Sequence, residues 1–341
     1  MSDTQLVHKP KCYSLLSMDC ERVQNKNTYP AGPLSWSESE VNIIGFAETA
    51  SSCGHKATFF AVPEAAKAHS DIFSSLQSKG HEVGLHLHPQ TFKNGTDANL
   101  ATLSYKQQLS IIGEAHSAFE NAMGFAPTSF RAGYFSANKD TFRVLSKLGF
   151  TRGSSVFPGR NSSECDSNWQ GRSTQCSYED NYFEAPLSTR PHSTNTSRQL
   201  YISQIKDLLN KGFYFEAAKK SAIPLYQKIR FPSTRRNDTK VLDLRIEHGA
   251  SILLSHLIIP LLDNEIRDST FPTLSSFTHN YVNFSGNNKK GSEYGVSRNK
   301  CLEQILTYLN DRNDILVTSL TLSQLHEEYD KMFANNNSKT H

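Results

Sequence analysis

Through the first half of the chain, short apolar runs alternate with longer stretches whose apolar residues recur at helical spacing. Tyr13–Met18 predicts a strand, and Trp36–Cys53 has the spacing of an amphipathic helix. Ala57–Ala61, Ala-Thr-Phe-Phe-Ala, predicts the second strand. Pro63 suits a first helical turn, where the N–H that proline lacks is not needed. That helix is expected to reach about Ser78 and stop at Lys79-Gly80, a basic residue followed by a helix-ending glycine. His81–His88 predicts a third strand, Tyr105–Met123 a long helix ended by Gly124, and Ser129–Arg131 a short strand. Lys139–Leu148, ended by Gly149, reads as a helix, and Phe150–Ser155 starts the next strand.

Strand and helix in alternation imply parallel strands joined by crossovers. Four such units before residue 155 favour a (β/α) barrel over a small open sheet. Trp169–Phe271 breaks the rhythm with a polar, Ser-, Asn- and Arg-rich composition, and has helical stretches near Leu200–Leu209 and Ile246–Leu262. It reads as a large insertion beside the site, a candidate substrate lid. The rhythm returns with a strand over Ser275–Val282, a helix over Asn299–Leu309, a strand over Asp314–Thr318 and a helix over Leu320–Tyr329. One domain over residues 12–331 is expected, with flexible ends at 1–11 and 334–341.

Composition narrows the function classes. The 341 residues carry a net charge of only +3 and no long run of like charge; Arg235-Arg236 and Lys289-Lys290 are pairs. A nucleic-acid surface is therefore not expected. No segment reaches the ~18 apolar residues of a transmembrane helix. Ala250–Leu262 comes nearest, but its apolar run is short and interrupted by Ser255, His256 and Pro260, and it reads as a buried helix, with membrane contact the alternative. Met1–Lys11 lacks the apolar core of a secretory signal, and the six cysteines form no Cys-x-x-Cys pair. Reduced thiols in a cytoplasmic protein are the expectation. The sequence sets no oligomeric state.

The candidate chemistry sits where strands end, which is where (β/α) barrels place their catalytic groups. In Ser17-Met18-Asp19-Cys20-Glu21, the two carboxylates are two residues apart, so an extended chain points them to one side. In Gly84-Leu85-His86-Leu87-His88-Pro89, the same spacing puts two imidazoles on one side, which suits a shared zinc-like ion. Arg131, in Phe130-Arg131-Ala132-Gly133-Tyr134, supplies a permanent charge that can hold a carboxylate ionised. Gly133 lets the backbone turn and aim an N–H at a substrate oxygen. His279, in Ser276-Phe277-Thr278-His279-Asn280, can donate a proton to a leaving group. Each fragment alone has an ordinary structural explanation; their joint placement at strand ends is what points to a site.

The order of these motifs resembles the polysaccharide deacetylases of the NodB-homology type, carbohydrate esterase family 4. The matching pieces are Ser17–Glu21, Ala57–Phe60, Gly80–Pro89, Arg131–Tyr134, His279, and Asp314–Glu327 with its Thr-Leu-Ser-Gln-Leu. They cover most of 12–158 and 273–330. The chain departs from the family pattern in several places. Cys20 separates Asp19 from Glu21, where the family has two adjacent aspartates. His86 and His88 are two apart, where it has His-x-x-x-His-Pro, and Phe277-Thr278-His279 only loosely matches Leu-x-x-His. For the family's Asp/Trp motif the candidates are Asp166 with Trp169, and Asp180.

The resemblance implies a distorted (β/α)7-type barrel of the NodB kind, with the insertion at about 169–271. It implies a divalent metal, with zinc the expected ion, held by Glu21, His86 and His88. Asp19 is the implied base, oriented by Arg131, although Asp19 and Glu21 could exchange roles or both bind the metal. The Tyr134 N–H is the implied oxyanion donor and His279 the implied acid. The implied reaction removes an N-acyl group, N-acetyl foremost, from a sugar or glycoconjugate. The compact His-x-His is similar to relatives in surface-polysaccharide (lipopolysaccharide O-antigen or capsule) biosynthesis. Rival readings are a metal-dependent amidase for a formamide or cyclic amide, and a degenerate, non-catalytic glycan-binding protein.

Overall fold

The computed structural model describes residues 9–25, 31–92, 98–191, 209, 241–289 and 296–337. The helical stretch expected near Leu200–Leu209 lies outside them apart from Leu209.

Strand β1, Lys11–Cys20, is buried at every residue after the first. It pairs in parallel on both edges. Tyr13 lies opposite both Thr273 and Thr318, and Asp19 lies opposite both Phe60 and His279. A strand enclosed in this way must be apolar on both faces, and Leu15, Leu16 and Met18 meet that demand. From β1 the sheet runs in parallel through β2 (Ala57–Ala61), β3 (Glu82–Leu87), β4 (Ser129–Ala132), β5 (Arg152–Gly153) and β9 (Tyr182–Glu184), then antiparallel to β8 (Ser177–Glu179). On the other side lie β12 (Thr273–Ser275), β13 (Thr278–His279) and β14 (Leu316–Ser319), all paired with β1. Two short antiparallel pairs stand apart from this sheet, β6 (Asn161–Ser162) with β7 (Ser167–Asn168) and β10 (Thr189–Pro191) with β11 (Val241–Asp243). The result is a mixed α/β fold whose sheet curls into a half-barrel. Among the described residues no ladder joins β8 or β9 to β12, but the Ser188 N–H donates to the Ser275 carbonyl at 3.0 Å across that gap.

The helices pack outside the sheet. Helix α1, Trp36–Ser52, starts where the Ser35 hydroxyl accepts the Glu38 N–H, and buries Ile43, Phe46 and Ala47. The single helix expected after Pro63 is two, α2 (Pro63–Ala68) and α3 (Ser70–Ser78). They break at His69, whose buried ring bonds the Ser39 hydroxyl at 2.9 Å. Helix α4, Tyr105–Met123, opens on a Ser104/Gln107 capping box and ends at left-handed Gly124; α5 spans Lys139–Lys147. The helix expected over Ala250–Leu262 is present and continues through Pro260. Leu254–Ile258 widens to π geometry between Ala250–Leu253 and Ile259–Asp268, which accommodates the N–H that Pro260 lacks. The closing helix runs over Leu322–Asn337, past the point where the sequence suggested a tail. Tyr182–Glu184 is a strand of the main sheet although it lies in the stretch read as irregular. The apolar patterning of Tyr182-Phe183-Glu184-Ala185 is broken by one charged residue, which hid it.

Gly45 sets how closely α1 approaches the loop after β13, because a Cβ there would lie 1.9 Å from the Phe284 carbonyl oxygen. Gly45→Ala is expected to destabilise the protein by about 1–3 kcal/mol through overpacking, despite alanine's higher helix propensity. Urea midpoints of the two proteins check this; an unchanged or raised midpoint contradicts the contact.

Candidate functional site

Register brings the site together before any side chain is considered. His86 on β3 lies opposite Arg131 on β4, and Asp19 on β1 lies opposite His279 on β13. Glu21 and His88 each follow a strand end by one residue, so each shares a side with the residue two before it. The intervening Cys20 and Leu87 turn into the apolar core.

The imidazole Nε2 atoms of His86 and His88 approach one Glu21 oxygen, Oε1, at 3.3 and 3.1 Å, and each other at 3.1 Å. All three side chains are buried. His86 Nδ1 lies 2.9 Å from the Arg131 carbonyl, which can only accept, so Nδ1 carries the proton. In neutral His86 that leaves an Nε2 lone pair facing a carboxylate and a second imidazole nitrogen. Lone pairs this close repel unless a cation sits among them. The proton supplies that cation when nothing else does. Burial would raise the Glu21 pKa, but the charges of His88 and His86 outweigh it and hold the carboxyl well below the usual range. Burial alone would lower the His86 pKa, yet Asp19 and Glu21 raise it above the usual histidine value. The same three atoms lie within 4.8 Å of one another, and two nitrogens with one carboxylate oxygen are a donor set that suits zinc. The residues therefore fit a divalent ion.

Asp19 lies beside this triad and is held from behind. The Arg131 guanidinium, fully buried, donates from Nη1 to Asp19 Oδ1 at 2.7 Å and to Ser17 Oγ at 2.9 Å, and from Nε to the Ser154 carbonyl at 2.8 Å. Phe60 stacks on it at 4.3 Å. Across the site, His279 Nδ1 lies 3.3 Å from Glu247 Oε1, and its ring stacks on Tyr281 at 4.7 Å. Asn280 grips the backbone of Glu21 at both ends: its Oδ1 accepts the Glu21 N–H and its Nδ2 donates to the Glu21 carbonyl, each at 2.9 Å.

Six of the seven residues singled out from sequence, Asp19, Glu21, His86, His88, Tyr134 and His279, line one cavity of about 170 Å³; Arg131 lies behind Asp19. Gly133 is needed, but for a different reason from the one expected. It does not itself make the turn; a Cβ on it would strike the His88 ring 2.5 Å away. The turn is made by Tyr134 and Phe135, both left-handed at φ 54° and 56°, a conformation that strains L-residues. It is held by Ser167 Oγ and Trp169 Nε1, which donate to the Phe135 carbonyl at 2.9 and 2.7 Å. Trp169 thus braces the turn. Asp166 accepts from Asn99, and Asp180 turns between β8 and β9; no contact of either with His279 is seen. The carboxylate that meets His279 is Glu247, which the sequence reading missed because it stands in the stretch taken as an insertion.

Residues 46–153 match the sequence model of a known family, polysaccharide deacetylase. The match spans His86, His88, Arg131 and Tyr134. Two solved structures share the fold of this chain. One, described as a polysaccharide deacetylase, is from Mycobacterium smegmatis: 15% identity, 94% of this chain and 91% of that one, TM-score 0.53. The other, with the same description, is from Pseudomonas aeruginosa PAO1: 12% identity, 94% and 92%, TM-score 0.51. No curated protein matches the chain.

A second buried carboxylate, not expected from the sequence, holds the backbone that follows β5. Glu184, fully buried on β9, accepts the Ser155 and Val156 N–H groups at 2.5 and 2.7 Å. Burial pushes its carboxyl up to about 7, against the pull of those N–H groups and Arg131. The folded state therefore binds a proton that the unfolded state has released between about pH 4.3 and 7. Stability from this group falls as pH rises through that window. Glu184→Gln is expected to flatten the decline. Urea midpoints from pH 5 to 8 check it, and an identical slope in both proteins contradicts it.

Proposed function

We propose that this protein is a metal-dependent hydrolase that removes an N-acyl group, N-acetyl foremost, from a sugar or glycoconjugate. The observation that supports this best is the convergence of Glu21, His86 and His88 in one cavity with an arginine-held carboxylate on one side and a carboxylate-held histidine on the other. The compact His86-x-His88 spacing favours a surface-polysaccharide precursor as the acylated sugar, handled in the cytoplasm.

Glu21, His86 and His88 would hold the ion, zinc being the best match to two nitrogens and one oxygen; when bound, it polarises the acyl carbonyl and acidifies water. Asp19 accepts the proton of the attacking water, with Arg131 fixing which carboxylate oxygen faces the cavity. The strained turn at Tyr134 offers its backbone N–H to the oxygen of the tetrahedral intermediate. His279, oriented through Nδ1 by Glu247, donates a proton from Nε2 to the departing amine nitrogen. Without that proton the C–N bond would have to expel an amide anion. The two proton-transfer groups stand opposite each other on adjacent strands.

His86→Ala is expected to lose metal and turnover together. Elemental analysis and release of acetate from N-acetylated sugars check this, and full activity in a chelated His86→Ala protein would sink the metal assignment. His279→Ala should retain one metal per chain and lose about 10²–10⁴-fold in kcat, and Glu247→Gln should lose less in the same direction. A His279→Ala enzyme with unchanged kcat removes it as the acid. Formamide and cyclic-amide substrates run beside the N-acetyl sugars test which amide is cleaved.

A further inference from the structure

Two arginines that the reaction above does not use reach the same cavity: Arg160 and Arg245. Both stand on irregular backbone that is tied down. The Arg160 N–H donates to the Phe157 carbonyl at 3.1 Å, and its carbonyl accepts the Trp169 N–H at 2.7 Å. Arg245 bridges in parallel to Phe277, whose N–H donates to the Leu244 carbonyl at 3.1 Å. Each guanidinium lies over a phenylalanine ring: Arg160 over Phe157 at 5.0 Å and Arg245 over Phe277 at 4.8 Å. The two rings are themselves neighbours, 6.4 Å apart. Stacking fixes the plane of a guanidinium and so limits where its N–H groups point. The result is a preorganised pair of cations on one wall.

Among the described residues, one carboxylate, Asp243, acts on both arginines. It meets Arg245 Nη2 at 3.2 Å and also accepts from His248 Nε2 at 3.1 Å. Among the described residues, Asp19 is engaged by Arg131, Glu21 by two imidazoles, and Glu247 by His279. Burial pulls the Arg160 pKa down and the Arg245 charge adds to that, against the opposing pull of Cys165, which hydrogen-bonds Arg160, and of Asp243. A guanidinium fork matches the paired oxygens of a carboxylate or phosphate.

We propose that Arg160 and Arg245 form an oxyanion subsite in the reaction cavity, and that the acylated sugar taken there carries an acidic substituent. As a statement about substrate it rests on the deacetylase reading; as a statement about binding it does not. At about 170 Å³ the cavity is smaller than the ~300 Å³ where small-molecule pockets usually begin, so the acidic group sits on the reacting sugar or its immediate neighbour.

Calorimetry on the full-length, zinc-loaded protein with glucose, glucuronate and glucose 6-phosphate tests it. At least one acidic sugar is expected to bind about tenfold or more tightly than glucose, and Arg160→Met and Arg245→Lys should each remove most of that preference. Glucuronate and glucose 6-phosphate report separately whether carboxylate or phosphate is the group recognised. Both variants are assayed for zinc; where Arg245→Lys loses it, Arg160→Met decides. Three equal affinities, no measurable binding of any of the three, or a preference that survives in the deciding variant overturns the subsite. Turnover of N-acetylglucosamine and its 6-phosphate is read in parallel. No acetate release, with the anion preference intact, would sink the deacetylase reading and leave the subsite standing.

Discussion

Glu21, His86 and His88 press three lone-pair-bearing atoms to within 3.3 Å of one another among buried side chains. Such a cluster is unfavourable as bare atoms, and it persists only with a positive charge at its centre. Much of the surrounding structure can be understood as enforcing it. The Arg131 carbonyl fixes the His86 tautomer, and Asn280 holds the Glu21 backbone from both sides. Gly133 leaves room for the His88 ring. Strand β1, paired along both edges, supplies the rigid line from which Asp19 and Glu21 project. The protein thus fixes the donor atoms in advance, and the free energy to do so comes from the packed sheet beneath.

On the proposed reading the site divides into a metal-type centre, a base side and an acid side, and each side has its own buried brace. Arg131 is fully buried, and its charge would be costly there without Asp19. Removing Asp19 therefore affects more than proton transfer, because it strands a guanidinium. On the acid side Glu247 orients His279 and Tyr281 stacks on the ring, so that histidine is held against rotation. Trp169 and Ser167 keep Tyr134 and Phe135 in a backbone conformation they would not choose alone. A reaction that develops negative charge on an acyl oxygen benefits from donors fixed in this way before it begins.

How much of this was legible in the sequence depends on whether a feature is local. Period-two spacing on a strand is local, and it placed Asp19 with Glu21 and His86 with His88 correctly on shared sides. The strand–helix alternation up to Lys147 is also local, and so is the capping at Gly124. What could not be read depended on contacts far apart in the chain. Glu247 reaches His279 from within a segment of unreadable rhythm, and Arg160 and Arg245, far apart in the chain, line one cavity beside the packed rings of Phe157 and Phe277. Glu184 interrupts the strand it belongs to, so its charge masked the pattern. Gly133 was flagged for flexibility, whereas its role is close approach, a property of its neighbour's ring. Asp166 and Asp180 had the right chemistry in the wrong place; both serve loops.

The claim on which the rest depends is that Glu21, His86 and His88 bind one metal ion together. Anomalous diffraction at the zinc edge, from crystals grown with zinc, tests it most directly. The account predicts a single strong peak about 2.0–2.2 Å from Glu21 Oε1, His86 Nε2 and His88 Nε2. A peak bound elsewhere, or none at this triad in a crystal that holds zinc, would contradict it.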